Sequence, residues 1–166
     1  MITNYCIQHL LREAKRVMSK GINPYNKVMK QNVPPYIKYT VESSYGIWNW
    51  IVDGLTNYFN FNGRARRKAF WYFSLANITF LMTAKFAQAA HIMPSELTGL
   101  VEIISLALII PMASVTVRRL HDVGRSGFMQ LIVLIPILGL FILIYFLCQD
   151  TAPETNQWGL PAKQAL

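Results

Sequence analysis

Arg118-Arg119-Leu120-His121-Asp122-Val123-Gly124-Arg125-Ser126 gathers three guanidinium groups, an imidazole, a carboxylate and a hydroxyl into nine residues. Arginine grips phosphate through paired, parallel hydrogen bonds. Arg118, Arg119 and Arg125 can therefore hold an anionic headgroup, with Asp122 orienting an arginine or His121. An enzymatic reading makes His121 a general base oriented by Asp122. Adjacent helical residues point about 100° apart, which suits a relay poorly. No Ser or Cys sits in a recognisable nucleophile elbow, and no second carboxylate accompanies the pair. A third reading is structural, with Asp122 satisfying nearby arginines and backbone amides. No catalytic residue is assigned, and an enzyme is not expected.

A second cationic group precedes it. Arg64, Arg67, Lys68 and Trp71 fall on one helical face, with Asn62 or Gly63 as a cap, and place an indole beside cations as at a headgroup boundary. A topology signal without a specific ligand explains the same residues. A third feature lies inside apolar sequence. Lys85 and Glu102 each stand about eight residues, or roughly 12 Å of helix, from the turn at Pro94, so they can meet at one depth. Snorkelling, a structural ion pair, or a polar conduit in an oligomer are the three readings of this intramembrane pair.

The elements that must position these groups are apolar runs. Residues 70–90, 97–117 and 128–147 each reach the roughly 17–25 residues that cross a bilayer, with Met93-Pro94-Ser95 as a tight turn between the first two. Gly124 and Gly127 let the chain turn, and Ser126 can cap the third run. Pro111 and Pro136 are expected to kink their helices, and Gly139 to permit close approach. Before the spans, Ile47, Trp48, Ile51 and Leu55 follow Ser43 or Ser44 at helical spacing. Asp53, Asn49 and Asn57 make that helix too polar to cross, so it is expected along the surface. Ile7, Leu10, Leu11, Ala14, Val17 and Met18 form the apolar face of an earlier amphipathic helix, and Asn23-Pro24 and Pro34-Pro35 bracket a linker.

Composition agrees with a membrane protein. Of 166 residues, 53% are hydrophobic and only 14% charged, which leaves much of the surface facing something other than water. The net charge of +8 is uneven, since eleven Lys or Arg precede Ala69 against Glu13, Glu42 and Asp53. These cations flank apolar runs, so lipid headgroups are the expected partners and nucleic acid is not. A protein partner or a homo-oligomer is compatible with the same motifs. Cys6 and Cys148 make neither a disulfide framework nor a zinc site, and no metal or cofactor is expected.

Tyr58-Phe59-Asn60-Phe61-Asn62-Gly63-Arg64-Ala65-Arg66-Arg67-Lys68-Ala69-Phe70-Trp71 resembles the opening of the domain of unknown function 805 family, small bacterial inner-membrane proteins. Arg118 through Gly127 resembles that family's second signature. Pro136-Ile137-Leu138-Gly139 is similar to its third, and Asn156-Gln157-Trp158-Gly159-Leu160-Pro161 to its closing pattern. Ala69 stands where the family usually has an acid, and Phe128 where a Trp is usual. The resemblance implies a location and an architecture, and no reaction.

The expectation is an all-α integral membrane protein with three transmembrane helices and amphipathic N-terminal helices. Residues 1–46 would form a basic extension, 47–150 the membrane domain and 151–166 a short polar tail. With both basic segments cytoplasmic, three spans put the N-terminus inside and the C-terminus in the periplasm or outside. The expected role is non-catalytic binding of anionic lipid or a partner protein. The alternatives are a small oligomeric channel or transporter using Lys85 and Glu102 and, more weakly, a membrane enzyme acting on a phosphate-bearing headgroup.

Overall fold

The computed structural model describes residues 45–163, which are helices and connecting loops. The amphipathic helix at Ile7–Met18, the Pro24–Pro35 linker, the Ser43/Ser44 cap and Cys6 lie outside the described residues. Four α-helices follow in order: α1 (Ile47–Thr56), α2 (Arg67–Ala89), α3 (Ser95–Asp122) and, after a 3-10 segment at Gly127–Leu134, α4 (Leu138–Cys148).

Helix α1 buries Trp50, Asp53 and Gly54 and leaves Trp48 exposed. Trp50 packs into a cluster with Ala65, Ala69, Phe70 and Phe73. Glycine at 54 is required by this contact, because a Cβ there would overlap the Phe73 ring. The face that meets the first turns of α2 is thus that of Trp50, Asp53 and Gly54, while Ile47, Trp48 and Leu55 of the expected apolar face stay exposed.

Helices α2 and α3 run back to back through a turn at residues 90–94. Both extend beyond the apolar runs that predict them. The signature Arg118–Asp122 is the last turn of α3 rather than a loop after it. By length and composition, Glu96–Asp122 is the one helix among the described residues fit to cross a membrane, with a mean hydropathy of 2.2 over its most apolar 18 residues. Pro111 sits inside α3 and supplies no N–H to the carbonyl four residues earlier, that of Ala107. The Tyr58 hydroxyl donates to that carbonyl instead. Ser114 Oγ donates to the carbonyls of Asn57 (3.0 Å) and Asn60 (2.7 Å), so the loop after α1 is tied to the middle of α3.

The third apolar run is not one continuous helix. Its first arm is the 3-10 segment, about 16 Å long at 2.0 Å per residue, and its second is α4, about 16 Å long at 1.5 Å per residue. Each reaches only half of a ~30 Å hydrocarbon layer. The arms fold against each other: a Cβ at Gly139 would overlap the Ile132 carbonyl. The reversal is a γ-turn centred on Ile137 (φ 63°, ψ −67°), closed by Leu138 N–H donating to Pro136 O at 2.7 Å. Both ends lie beside the last turn of α3. Gly127 lies against Val117 and His121, and Arg119 donates to the carbonyls of Leu147 and Gln149. Residues 128–147 therefore form a helical hairpin, and Asp150 onward returns to the end where Arg64 and Arg118 lie. The single helix expected over residues 128–147 is thus replaced by two short arms. Pro136 turns the chain rather than kinking a continuous helix.

Candidate functional site

The centre of the basic end is Asp122, the last residue of α3, whose side chain is completely buried. Four donors saturate its carboxylate. Arg64 Nε (3.0 Å) and the Ala162 N–H (3.1 Å) donate to Oδ1, while Arg119 Nη1 (2.5 Å) and Thr151 Oγ1 (2.7 Å) donate to Oδ2. Arg119 stands one turn earlier on α3 and so reaches Asp122 from the same helical face.

Arg64 reaches it from the loop ahead of α2. An arginine has five N–H bonds in a fixed fork, and each finds an oxygen here. Besides Asp122 Oδ1, they donate to the carbonyls of Asp122 (2.9 Å), Ala152 (2.6 Å), Glu154 (2.8 Å) and Gly159 (3.2 Å). Three of those acceptors belong to the C-terminal tail. The tail is folded to meet them: Asn156 and Gly159 exchange both backbone hydrogen bonds, and Asn156 Nδ2 donates to His121 O at 2.8 Å. The His121 ring stacks on Trp158 with centroids 4.1 Å apart and planes 8° from parallel, and its Nδ1 faces the Gly63 carbonyl at 3.2 Å. The imidazole is thus held by Trp158 and Gly63, and Asp122 is not its orienting partner.

The same arginines also cap a helix. The last carbonyls of α4 have no intrahelical donor. Arg119 serves Leu147 and Gln149, and Arg67 Nη1 serves Cys148 at 3.4 Å. Cations here also complement the negative end of the α4 dipole. The carbonyls in need of donors and the guanidinium groups in need of acceptors meet at one place, which fixes the direction in which the hairpin returns.

A family model for a protein of unknown function (DUF805) matches residues 58–160, from Tyr58 to the loop that holds Arg64. The chain belongs to the DUF805 family. Two curated relatives from Escherichia coli (strain K12) are inner membrane proteins by name. Inner membrane protein YhaI is 36% identical over 110 residues, covering 66% of this chain and 92% of its own. Inner membrane protein YhaH is 37% identical over 115 residues, covering 67% and 93%. No solved structure matches the chain. With the apolar α3, these relatives place this DUF805 chain among bacterial inner-membrane proteins.

The structure divides the residues that the sequence groups together as headgroup- or partner-binding. Arg64, Arg118, Arg119, His121 and Asp122 are buried. Their surroundings are the tail and neighbouring helices, so they are closed to an external headgroup. Arg67, Lys68, Arg125 and Ser126 are exposed, and Trp71 is half-buried beside Phe70. Arg67 pairs with Asp150 at 2.9 Å, and the Arg125 guanidinium lies 5.1 Å above the Phe146 ring. Both therefore border the last turn of α4. Ser126 caps the 3-10 segment, accepting from Phe128 N–H at 3.4 Å.

Lys85 and Glu102 do meet, at 2.6 Å, with Gln88 Nε2 3.4 Å from the same Glu102 oxygen. Counting along α3, Glu102 lies about 30 Å from Asp122, at the far end of the bundle. The residues that sequence reasoning missed are Thr151, Ala152 and Ala162, which meet Asp122 or Arg64, and Tyr58 at Ala107. Ala152 and Ala162 act through backbone groups, which leave no side-chain signature, and the Thr151 hydroxyl is one of several polar side chains in its segment. For Tyr58 the signal is Pro111, which leaves one carbonyl in its helix seeking a donor.

Proposed function

We propose that this DUF805 protein is a non-catalytic integral membrane protein with two spans, α2 and α3, and both termini of the described region in the cytoplasm. Its basic end would bind anionic lipid headgroups through Arg67, Lys68 and Arg125. The observation that carries this reading is the rim of Arg67 and Arg125 around the base of a hairpin whose outer face is apolar and exposed, with Phe128 at 81%. Cations bordering lipid-facing apolar surface stand at headgroup level.

Charge placement supports the orientation. The two signatures and the tail carry Arg64, Arg66, Arg67, Lys68, Arg118, Arg119, Arg125 and Lys163 against Asp122, Asp150 and Glu154. The opposite end has Lys85 against Glu96 and Glu102. The positive end belongs in the cytoplasm. Saturation of Asp122 by four donors, and the stacking of His121 on Trp158, support a structural rather than a reactive use of these two residues.

Two measurements test this. A fluorescent-protein fusion after residue 166 should fold and fluoresce, and alkaline phosphatase inserted at residues 91–94 should be active. The reverse pattern rejects the topology. Purified Lys68→Glu/Arg125→Glu protein should carry several-fold less phosphatidylglycerol and cardiolipin than wild type, with insertion unchanged. Equal anionic lipid content rejects the headgroup assignment.

A further inference from the structure

The hairpin covers only the basic half of the α2–α3 pair, and what it leaves uncovered is shaped. A groove of about 490 Å³ runs between α2, α3 and the hairpin, with Ser74 and Thr116 at its inner end and Leu81 and Ser105 at its outer end. Its length along α3, from Thr116 to Ser105, is about 16 Å, half of a ~30 Å hydrocarbon core and so one leaflet's acyl chain.

The walls are apolar in effect as well as in composition. Asn77 donates to Phe73 O (2.9 Å), Ser105 to Val101 O (2.7 Å) and Thr116 to Met112 O (2.7 Å), so these polar side chains turn back onto their own helices. The inner end is closed by the hairpin base, where Leu143 and Leu147 pack with Val115 and Leu120. An occupant must enter from the side or from the outer end.

At that outer end stand Lys85, one turn beyond Leu81, and Glu102, just short of one turn beyond Ser105. They sit about 5–6 Å along the axes from the last groove residues, on the helix faces that line it. The pair is net neutral and about half exposed, at 55% and 47%. Lys85 Nζ uses one of its three N–H bonds on Glu102 Oε1, and Glu102 Oε2 has no partner among the described residues.

We propose that this groove holds one acyl chain of a zwitterionic phospholipid from the leaflet at the Lys85–Glu102 end, with the lipid phosphate against Lys85 and a primary ammonium group against Glu102. Charge complementarity selects the lipid. A headgroup with one negative and one positive group matches a site with one of each. An N–H-bearing ammonium can donate to Glu102 Oε2, which a quaternary ammonium cannot. The 5–6 Å between the ion pair and the groove accommodates the glycerol linkage. This site is at the opposite end from the cationic rim and does not depend on it.

The test is native mass spectrometry of the full chain released from nanodiscs of equimolar phosphatidylethanolamine, phosphatidylcholine and phosphatidylglycerol. Wild type should retain one phosphatidylethanolamine per chain, about fivefold over phosphatidylcholine, roughly 1 kcal/mol in affinity. Leu108→Trp, which fills the groove, should reduce retained phosphatidylethanolamine at least about fivefold. Ile103→Trp, on an exposed part of α3 outside the groove, should not. Lys85→Gln/Glu102→Gln should keep a bound lipid but bring its phosphatidylethanolamine-to-phosphatidylcholine ratio to about one, and Lys68→Glu/Arg125→Glu, which strips anionic lipid from the basic end, should still retain one phosphatidylethanolamine per chain. The proposal is overturned if wild type retains no phosphatidylethanolamine, if the lipid lost with Leu108→Trp is phosphatidylglycerol, or if as much phosphatidylethanolamine binds after Leu108→Trp. A lipid-free dimer that Leu108→Trp dissociates would overturn it too, by showing that a second copy fills the groove.

Discussion

Asp122→Asn tests the centre of the basic end. The substitution keeps the shape of the side chain and removes its charge. It leaves Arg64 and Arg119 buried against a neutral amide, whose own N–H groups must face the Arg119 and Thr151 donors or the Arg64 and Ala162 donors. Removing one partner from a buried ion pair costs about 3–5 kcal/mol. The tail is the element released, because Thr151, Ala152 and Ala162 are bound directly to Asp122, and Arg64 needs Asp122 to stay aligned with the carbonyls of residues 152, 154 and 159. At about 1.4 kcal/mol per factor of ten, the population of chains with an undocked tail should rise by two to three and a half orders of magnitude. Amide hydrogen exchange in nanodiscs reads this directly. Protection at Ala152, Asn156, Gly159 and Ala162 should fall by at least about a hundredfold, while that of the midspan of α3 stays high. Asp150→Asn is the control, since its pairing with Arg67 is exposed and worth at most about 1 kcal/mol. Tail protection within threefold of wild type in Asp122→Asn would refute the claim that this carboxylate holds the tail.

Three further outcomes follow from the packing. Tyr58→Phe should lower stability by about 1–3 kcal/mol by leaving the Ala107 carbonyl without a donor. The loss should largely vanish in a Pro111→Ala background, where the helix supplies its own N–H; equal losses in thermal unfolding of both backgrounds would refute the pairing. Gly139→Ala should cost about 1–3 kcal/mol or prevent folding, because the new methyl meets the Ile132 backbone, whereas Gly99→Ala faces open space and should be neutral or mildly stabilising in the same melts. Ile137→Gly should raise stability by about 1 kcal/mol, since a β-branched residue at φ 63° is strained by roughly 1–3 kcal/mol and glycine gives back part of that as chain entropy; an unchanged or lower melting temperature would contradict it.

The helices with a strong local signal were legible. The presence of α2 and α3, the turn at Pro94, the short helix at Ile47–Thr56 and the meeting of Lys85 with Glu102 all follow from apolar runs and from counting rise per residue. The third run was not legible as two arms. Twenty apolar residues have the same hydropathy whether they cross once or enter and return, and Pro136 and Gly139 read equally as a kink and a close helix contact. What decides between them is the pull of the Arg119 and Arg67 side chains on the carbonyls of residues 147–149, a long-range pairing with the backbone. The surroundings of the cationic signatures were hidden for a related reason. Arginines beside apolar spans ordinarily face headgroups, yet Arg64 finds acceptors in main-chain oxygens of a short polar tail, and Arg119 in those at the end of α4.

The reach of Arg64 along the chain has a consequence for biogenesis. Its acceptors lie 58 to 95 residues downstream. At 5–20 residues per second, Gly159 is polymerised roughly 5–20 s after Arg64. With the basic end in the cytoplasm, as proposed, the guanidinium stays hydrated and cationic through that interval and helps to anchor the nascent chain. Only when the last residues emerge does it become internal, so a charge that first steers insertion later becomes the clasp that fastens the completed chain.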